Sequence, residues 1–136
     1  MIEVYIDGAS AGNPGPSGAG IFIKGHGSGE KYSIPLGCMS NHEAEYHALI
    51  KALEICIEKG YKTVSFRTDS ELVNKAIEKE FAKNKSYVPL LERALELSSQ
   101  LDLFFIKWIP SHENKVADEC SRLAIRMNTP EETVDE

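Results

Sequence analysis

Residues 2–7, IEVYID, alternate: Ile2, Val4 and Ile6 share one face and Glu3, Tyr5 and Asp7 the other. That period of two predicts a strand. Residues 8–18, GASAGNPGPSG, hold so much Gly, Pro and Asn that they read as a loop. A second strand is expected at about Ala19–Gly25, then a GHGSG turn, then a third strand from about Glu30 to Gly37. Short strands joined by turn chemistry describe an antiparallel meander.

Beyond it the period lengthens to that of a helix. Ser40-Asn41-His42-Glu43 fits a capping box. The helix it opens runs to about Lys59, with Ala44, Ala48, Leu49, Ala52, Ile55 and Cys56 as its apolar side and Gly60 as its stop. Thr63–Asp69 reads as a strand and Ser70–Ala82 as a helix with Val73, Ala76, Ile77 and Phe81 inward. Asn84-Lys85-Ser86 breaks that helix, and Tyr87–Leu101 forms another. Leu103–Ile109 is an apolar strand, Pro110-Ser111-His112 a connection, and Glu113–Met127 the last helix. The order β-β-β-α-β-α-α-β-α predicts a mixed sheet flanked by helices, of the α/β class.

With 136 residues, 42% of them hydrophobic, one domain over 1–128 is expected, followed by a disordered acidic tail at 129–136. No apolar run reaches membrane-spanning length and no signal peptide is visible, which makes the cytoplasm the expected location. Cys38, Cys56 and Cys120 are too scattered for a zinc site or a disulfide framework, and Cys56 falls on the apolar helical stripe. The net charge of −6 argues against a nucleic-acid partner, yet Glu131, Glu132, Asp135 and Glu136 account for four of those charges and leave −2 on the body. Bound cations would alter even that figure.

Four acids stand out by position. Asp7 ends the first strand before the Gly-rich segment, and Asp69 ends the fourth strand before a helix. Ligands of open α/β sheets gather at such carboxyl ends. Glu45 lies one turn into the first helix, and Asp118 lies early in the last, beside Ala117 and Ser121. Singly, each has an ordinary explanation: a strand-end Asp caps a helix, Asp69 above all, while Glu45 and Asp118 are solvated. Jointly, four converging like charges require cations, and oxygen donors suit Mg²⁺ or Mn²⁺. A pair of such ions can clamp an in-line phosphodiester displacement with water as nucleophile.

Four segments resemble the ordered motifs of type 1 ribonuclease H: YIDGASAGNPGPSGAG, SNHEAEYHALIKAL, RTDSELV and ENKVADECSRLA. Together they run from the first strand to Arg126. The resemblance implies a ribonuclease H-like fold, a five-stranded mixed sheet with three antiparallel strands then two parallel ones. It implies an endonuclease that cuts the RNA strand of RNA–DNA hybrids, leaving 5′-phosphate and 3′-OH ends. Asp7, Glu45, Asp69 and Asp118 would hold two Mg²⁺ ions, with Mn²⁺ able to substitute. Asn13 and Asn41 match positions that touch the RNA 2′-OH, the group that separates RNA from DNA. Ser40 matches a position that helps hold a DNA phosphate, a role compatible with its capping one. A monomer that needs neither membrane nor protein partner is expected.

The chain also departs from that pattern. His42 stands where many relatives have a second Asn, and is either a weaker ribose contact or a surface histidine. His112, six residues before Asp118, either fills the catalytic place of a loop histidine or is simply exposed. The basic, Trp-bearing protrusion of longer relatives is missing, as in the short bacterial form, so weak hybrid affinity is expected. Lys75, Lys79 and Lys83 recur every four residues and are either a solvated face or a phosphate-binding stripe. Two rivals stand beside this reading. A 3′–5′ exonuclease of the same fold needs a Glu where Ala9 lies, and a catalytically weak or inactive module of that fold, docking hybrids or a protein, would not need the acids.

Overall fold

The computed structural model describes residues 1–25 and 27–128; the tail expected at 129–136 and His26 of the predicted turn lie outside the described residues. Strands β1 (Ile2–Ser10), β2 (Gly15–Gly25), β3 (Ser28–Met39), β4 (Thr63–Thr68) and β5 (Leu103–Trp108) form one sheet in the order β3-β2-β1-β4-β5. The β1/β2 and β2/β3 pairs are antiparallel, and the β1/β4 and β4/β5 pairs are parallel, as expected. The helices are α1 (Asn41–Glu58), α2 (Glu71–Lys79), α3 (Val88–Ser98) and α4 (Lys115–Arg126). No helix among the described residues is long and apolar enough to cross a membrane.

The predicted loop at 8–18 is mostly strand. The β1/β2 ladder continues through Ala9↔Gly18 and Ser10↔Ser17, so only residues 11–14 lie outside it. Glycines that look like turn formers serve another purpose here. A Cβ on Gly8 would meet the Ala44 carbonyl oxygen at 2.2 Å and the Glu45 nitrogen at 2.5 Å, and one on Gly20 would meet the Ala117 oxygen at 2.0 Å. Glycine inside a strand thus marks close backbone approach. Gly20 pairs with Asp7, the neighbour of Gly8, so the two glycines face opposite sides of the sheet. Helix α1 therefore presses onto one face at β1 and α4 onto the other at β2.

Ile2, Val4, Ile6, Val64 and Phe66 point into the core beneath α1, where Leu49, Leu53 and Cys56 complete it. Burial pushes the Cys56 thiol up to about 12, that of an inert core residue. The capping box at Ser40 and Glu43 forms as expected. Helix α2 stops three residues short of the expected end: Glu80 turns left-handed at φ 53°, and its N–H and that of Phe81 bond back to Ala76 and Ile77. The turn throws Phe81 outward, 63% exposed, instead of into the core.

Candidate active site

Parallel pairing sets the first two acids side by side. Ile6 is the partner of Thr68, so Asp7 and Asp69 follow at one end of adjacent strands. The close approach at Gly8 then seats the first turn of α1, and with it Glu45, beside Asp7. The approach at Gly20 brings Ala117 and Ser121 of α4 against the same strand end, and Asp118 with them. All four acids are partly buried, not fully solvated. Asp69 is not a helix cap: Ser70 takes that place in α2, accepting from the Val73 N–H.

Each carboxylate has a partner. Ser121 Oγ donates to Asp7 Oδ2 at 2.6 Å. Ser70 Oγ donates to Glu45 Oε1 at 3.0 Å, and His42 Nδ1 lies 3.1 Å from that same oxygen. Arg122 pairs with Asp118 at 2.8 Å, one turn along α4. Trp108 Nε1 donates to the Asp69 backbone oxygen at 3.2 Å. Sequence reasoning missed Ser70, Ser121, Arg122, Trp108 and Asn114. Adjacency to a motif acid, or a spacing of three or four from one, pointed to all of them except Trp108, which no sequence signal marked.

The charges act on one another. Burial is the main force pushing the Asp7 carboxyl up to about 8; the Ser121 hydrogen bond opposes it, and the charges of Asp69, Asp118 and Glu45 add to it. Burial also raises Glu45, against hydrogen bonds from His42 and Ser70. It raises Asp69 in turn, against hydrogen bonds from Asn114 and Asp7 and with Asp118 adding to the rise. Asp7 thus senses the three other acids at once, as expected of one cluster.

Around this cluster lie the other predicted positions. Asn13 Oδ1 accepts from the Asn41 backbone N–H at 3.1 Å, joining the 11–14 turn to the start of α1. Both residues are exposed, as is His42, and Ser40 carries the α1 cap. A groove of about 700 Å³ runs from His42 and Tyr46 to Tyr87, bordered by Lys75, Lys79 and Lys83. Lys83 lies past the end of α2, yet the turn at Glu80 returns it to the same groove. Lys75 also pairs with Glu71 at 3.7 Å on the exposed face of α2. His112, its side chain 74% exposed in a short 3-10 turn, faces Glu113 at 3.7 Å and touches none of the acids.

The sequence pattern of the reverse transcriptase-like family matches residues 6–124. The EbsB protein of Enterococcus faecalis is 41% identical over 132 residues, covering 96% of this chain and 98% of the relative. A ribonuclease H of Cyanothece is 31% identical over 134 residues, covering 90% and 85%. The crystal structure of LC11-RNase H1 in complex with an RNA/DNA hybrid superposes with a TM-score of 0.86 at 30% identity, covering 93% of this chain and 98% of that one. By this family pattern, these relatives and this sheet order, the chain belongs to the ribonuclease H family, with the fold of its type 1 members.

Proposed function

We propose that residues 1–128 form a catalytic domain that hydrolyses the RNA strand of RNA–DNA hybrids by two-metal-ion chemistry, leaving 5′-phosphate and 3′-OH ends. The observation that carries this reading is the convergence of four acids, with Asp7 and Asp69 at the ends of paired strands and Glu45 and Asp118 brought up by the close approaches at Gly8 and Gly20. Four oxygen donors suit a hard cation, Mg²⁺ or Mn²⁺, held by Asp7, Glu45, Asp69 and Asp118. As they stand, no three such side chains among the described residues are grouped to hold an ion by themselves. A cation bound among them would offset the repulsion between their charged forms. When bound, the ions lower the pKa of an attacking water and stabilise the leaving 3′ oxygen.

The chain's own residues supply the rest. Ser121 and Ser70 orient the carboxylates of Asp7 and Glu45. Asn13 and Asn41, tied together by one hydrogen bond, present polar groups to the ribose 2′-OH. Ser40 keeps the start of α1 in register for a phosphate, and His42 holds Glu45 while reaching toward the ribose. Lys75, Lys79 and Lys83 draw the backbone of the second strand into the groove. His112 serves proton transfer at the leaving group.

The test is a labelled RNA–DNA hybrid incubated with Mg²⁺ or Mn²⁺, beside single-stranded and duplex RNA. Asp69→Asn should abolish cleavage by orders of magnitude while keeping the fold, because the cap on α2 belongs to Ser70 and stays in place. Full activity in excess EDTA, or a 2′,3′-cyclic phosphate product, contradicts the scheme.

A further inference from the structure

We infer that Asn114 is a positioning residue that holds Asp7, Asp69 and Asp118 in mutual register; this rests on the functional reading above. Asn114 is 1% exposed and occupies the N-cap of α4. Asn at that place ordinarily turns its side-chain oxygen back to accept from the helix's first free N–H groups. Here it makes no such bond, and Oδ1 is buried with no partner among the described residues. The side chain reaches across the sheet instead. Nδ2 donates to the Ile6 carbonyl at 2.8 Å, the carbonyl of the peptide that leads into Asp7. The amide also favours the ionised form of the Asp69 carboxylate. The Asn114 backbone carbonyl in turn accepts the Asp118 N–H at 3.1 Å, which sets the third acid one turn up the helix.

One residue therefore joins the end of β1 to the first turn of α4 and acts on the charge at the end of β4, the three places that present these acids. A neutral amide suits the task. It gives the carbonyl an N–H donor, turns the positive side of its dipole to the carboxylates, and adds no charge to a cluster already crowded with negative ones. A carboxylate in its place would have no proton for Ile6, and an alkyl side chain would leave that carbonyl unpaired.

The experiment compares wild type, Asn114→Ala, Asn114→Ser and Val64→Ala, the last a core control beneath α1 and remote from the strand ends. Ser keeps a capping group for α4 but is too short to span from α4 to β1, so it serves should Ala fail to fold. Calorimetric titration with Mn²⁺ alone and hybrid cleavage are measured at a temperature where all the variants tested are folded. Both Asn114 variants should bind Mn²⁺ at least about tenfold more weakly, as loss of a carboxylate-orienting partner does. Their kcat should fall by a similar factor, with KM for the hybrid near that of the wild type. Val64→Ala should lose thermal stability but neither Mn²⁺ affinity nor kcat. Asn114 variants that match Val64→Ala in affinity and kcat would overturn the inference and leave the functional reading standing. A wild type that binds no Mn²⁺ would remove both.

Discussion

Ser121 Oγ sits 2.6 Å from Asp7 Oδ2, joining residues 114 positions apart. The bond favours the ionised carboxylate, yet burial outweighs it and Asp7 stands near 8 against an ordinary 3.8. A carboxyl raised in the folded state stabilises the fold fully below its ordinary value and loses that contribution as pH climbs through the folded one. Glu45 and Asp69 shift in the same direction. In chelator, the Tm should therefore fall between about pH 4 and pH 8. A divalent cation should reverse the loss at the upper end: occupancy at a hundredfold excess over Kd is worth about 2.7 kcal/mol, or about 10 °C for a domain of this size. Thermal melts at pH 5 and pH 8, with and without Mg²⁺, check both parts. A Tm at pH 8 indifferent to Mg²⁺ and Mn²⁺ would count against the cluster as a cation site.

The lysines of the groove make a separate claim. Lys75→Glu, Lys79→Glu and Lys83→Glu together should raise KM for the hybrid and leave kcat at saturation nearly intact. Each lost phosphate contact should flatten the slope of log affinity against log salt by about 0.7–0.9. Binding titrations at several salt concentrations decide the matter. Equal slopes for wild type and variant would make the lysines an ordinary solvated face.

His112 pairs with Glu113 and not with one of the four acids among the described residues, so its removal should spare metal affinity. His112→Ala should slow turnover by about 10²-fold, the lower range for a proton-transfer group. Single-turnover and steady-state rates at neutral pH measure it. An unchanged rate would make His112 a surface residue.

Glu80 lies in the left-handed region that Gly60 occupies at the end of α1. That conformation costs an L-residue about 1–2 kcal/mol, and the larger backbone entropy of glycine returns part of it. Glu80→Gly should thus stabilise the protein by about 0.5–1 kcal/mol, read as a small rise in denaturation midpoint, with hybrid cleavage unchanged. A destabilised variant would mean that the Glu80 side chain contributes more than its backbone strain costs.

Much of this molecule is legible in the chain because its signals are local. The alternation at Ile2–Asp7, the capping box at Ser40 and the acids at strand ends all depend on neighbours in sequence. What escaped depends on residues that are distant in sequence. Gly8 reads as a loop former and Gly20 as an ordinary strand residue because nothing nearby announces that α1 and α4 press onto them. Asn114 reads as part of a helix start because its partner, Ile6, lies 108 positions away. Phe81 fits the apolar stripe of α2 until a left-handed residue ends the helix one position before it. The acids were found as a set of types in order, and their hydrogen-bonding partners could be found only once the chain was closed.

Helix α4 supplies Asp118, Ser121 and, at its cap, Asn114, and it is the final described element of the chain. During synthesis the other three acids emerge earlier, with β1, α1 and the end of β4, but the cluster lacks its fourth member until this helix has left the ribosome and docked on β2. Completion of the cluster is therefore coupled to the docking of one helix, and any fluctuation that lifts α4 from the sheet removes Asp118, Ser121 and Asn114 from it together.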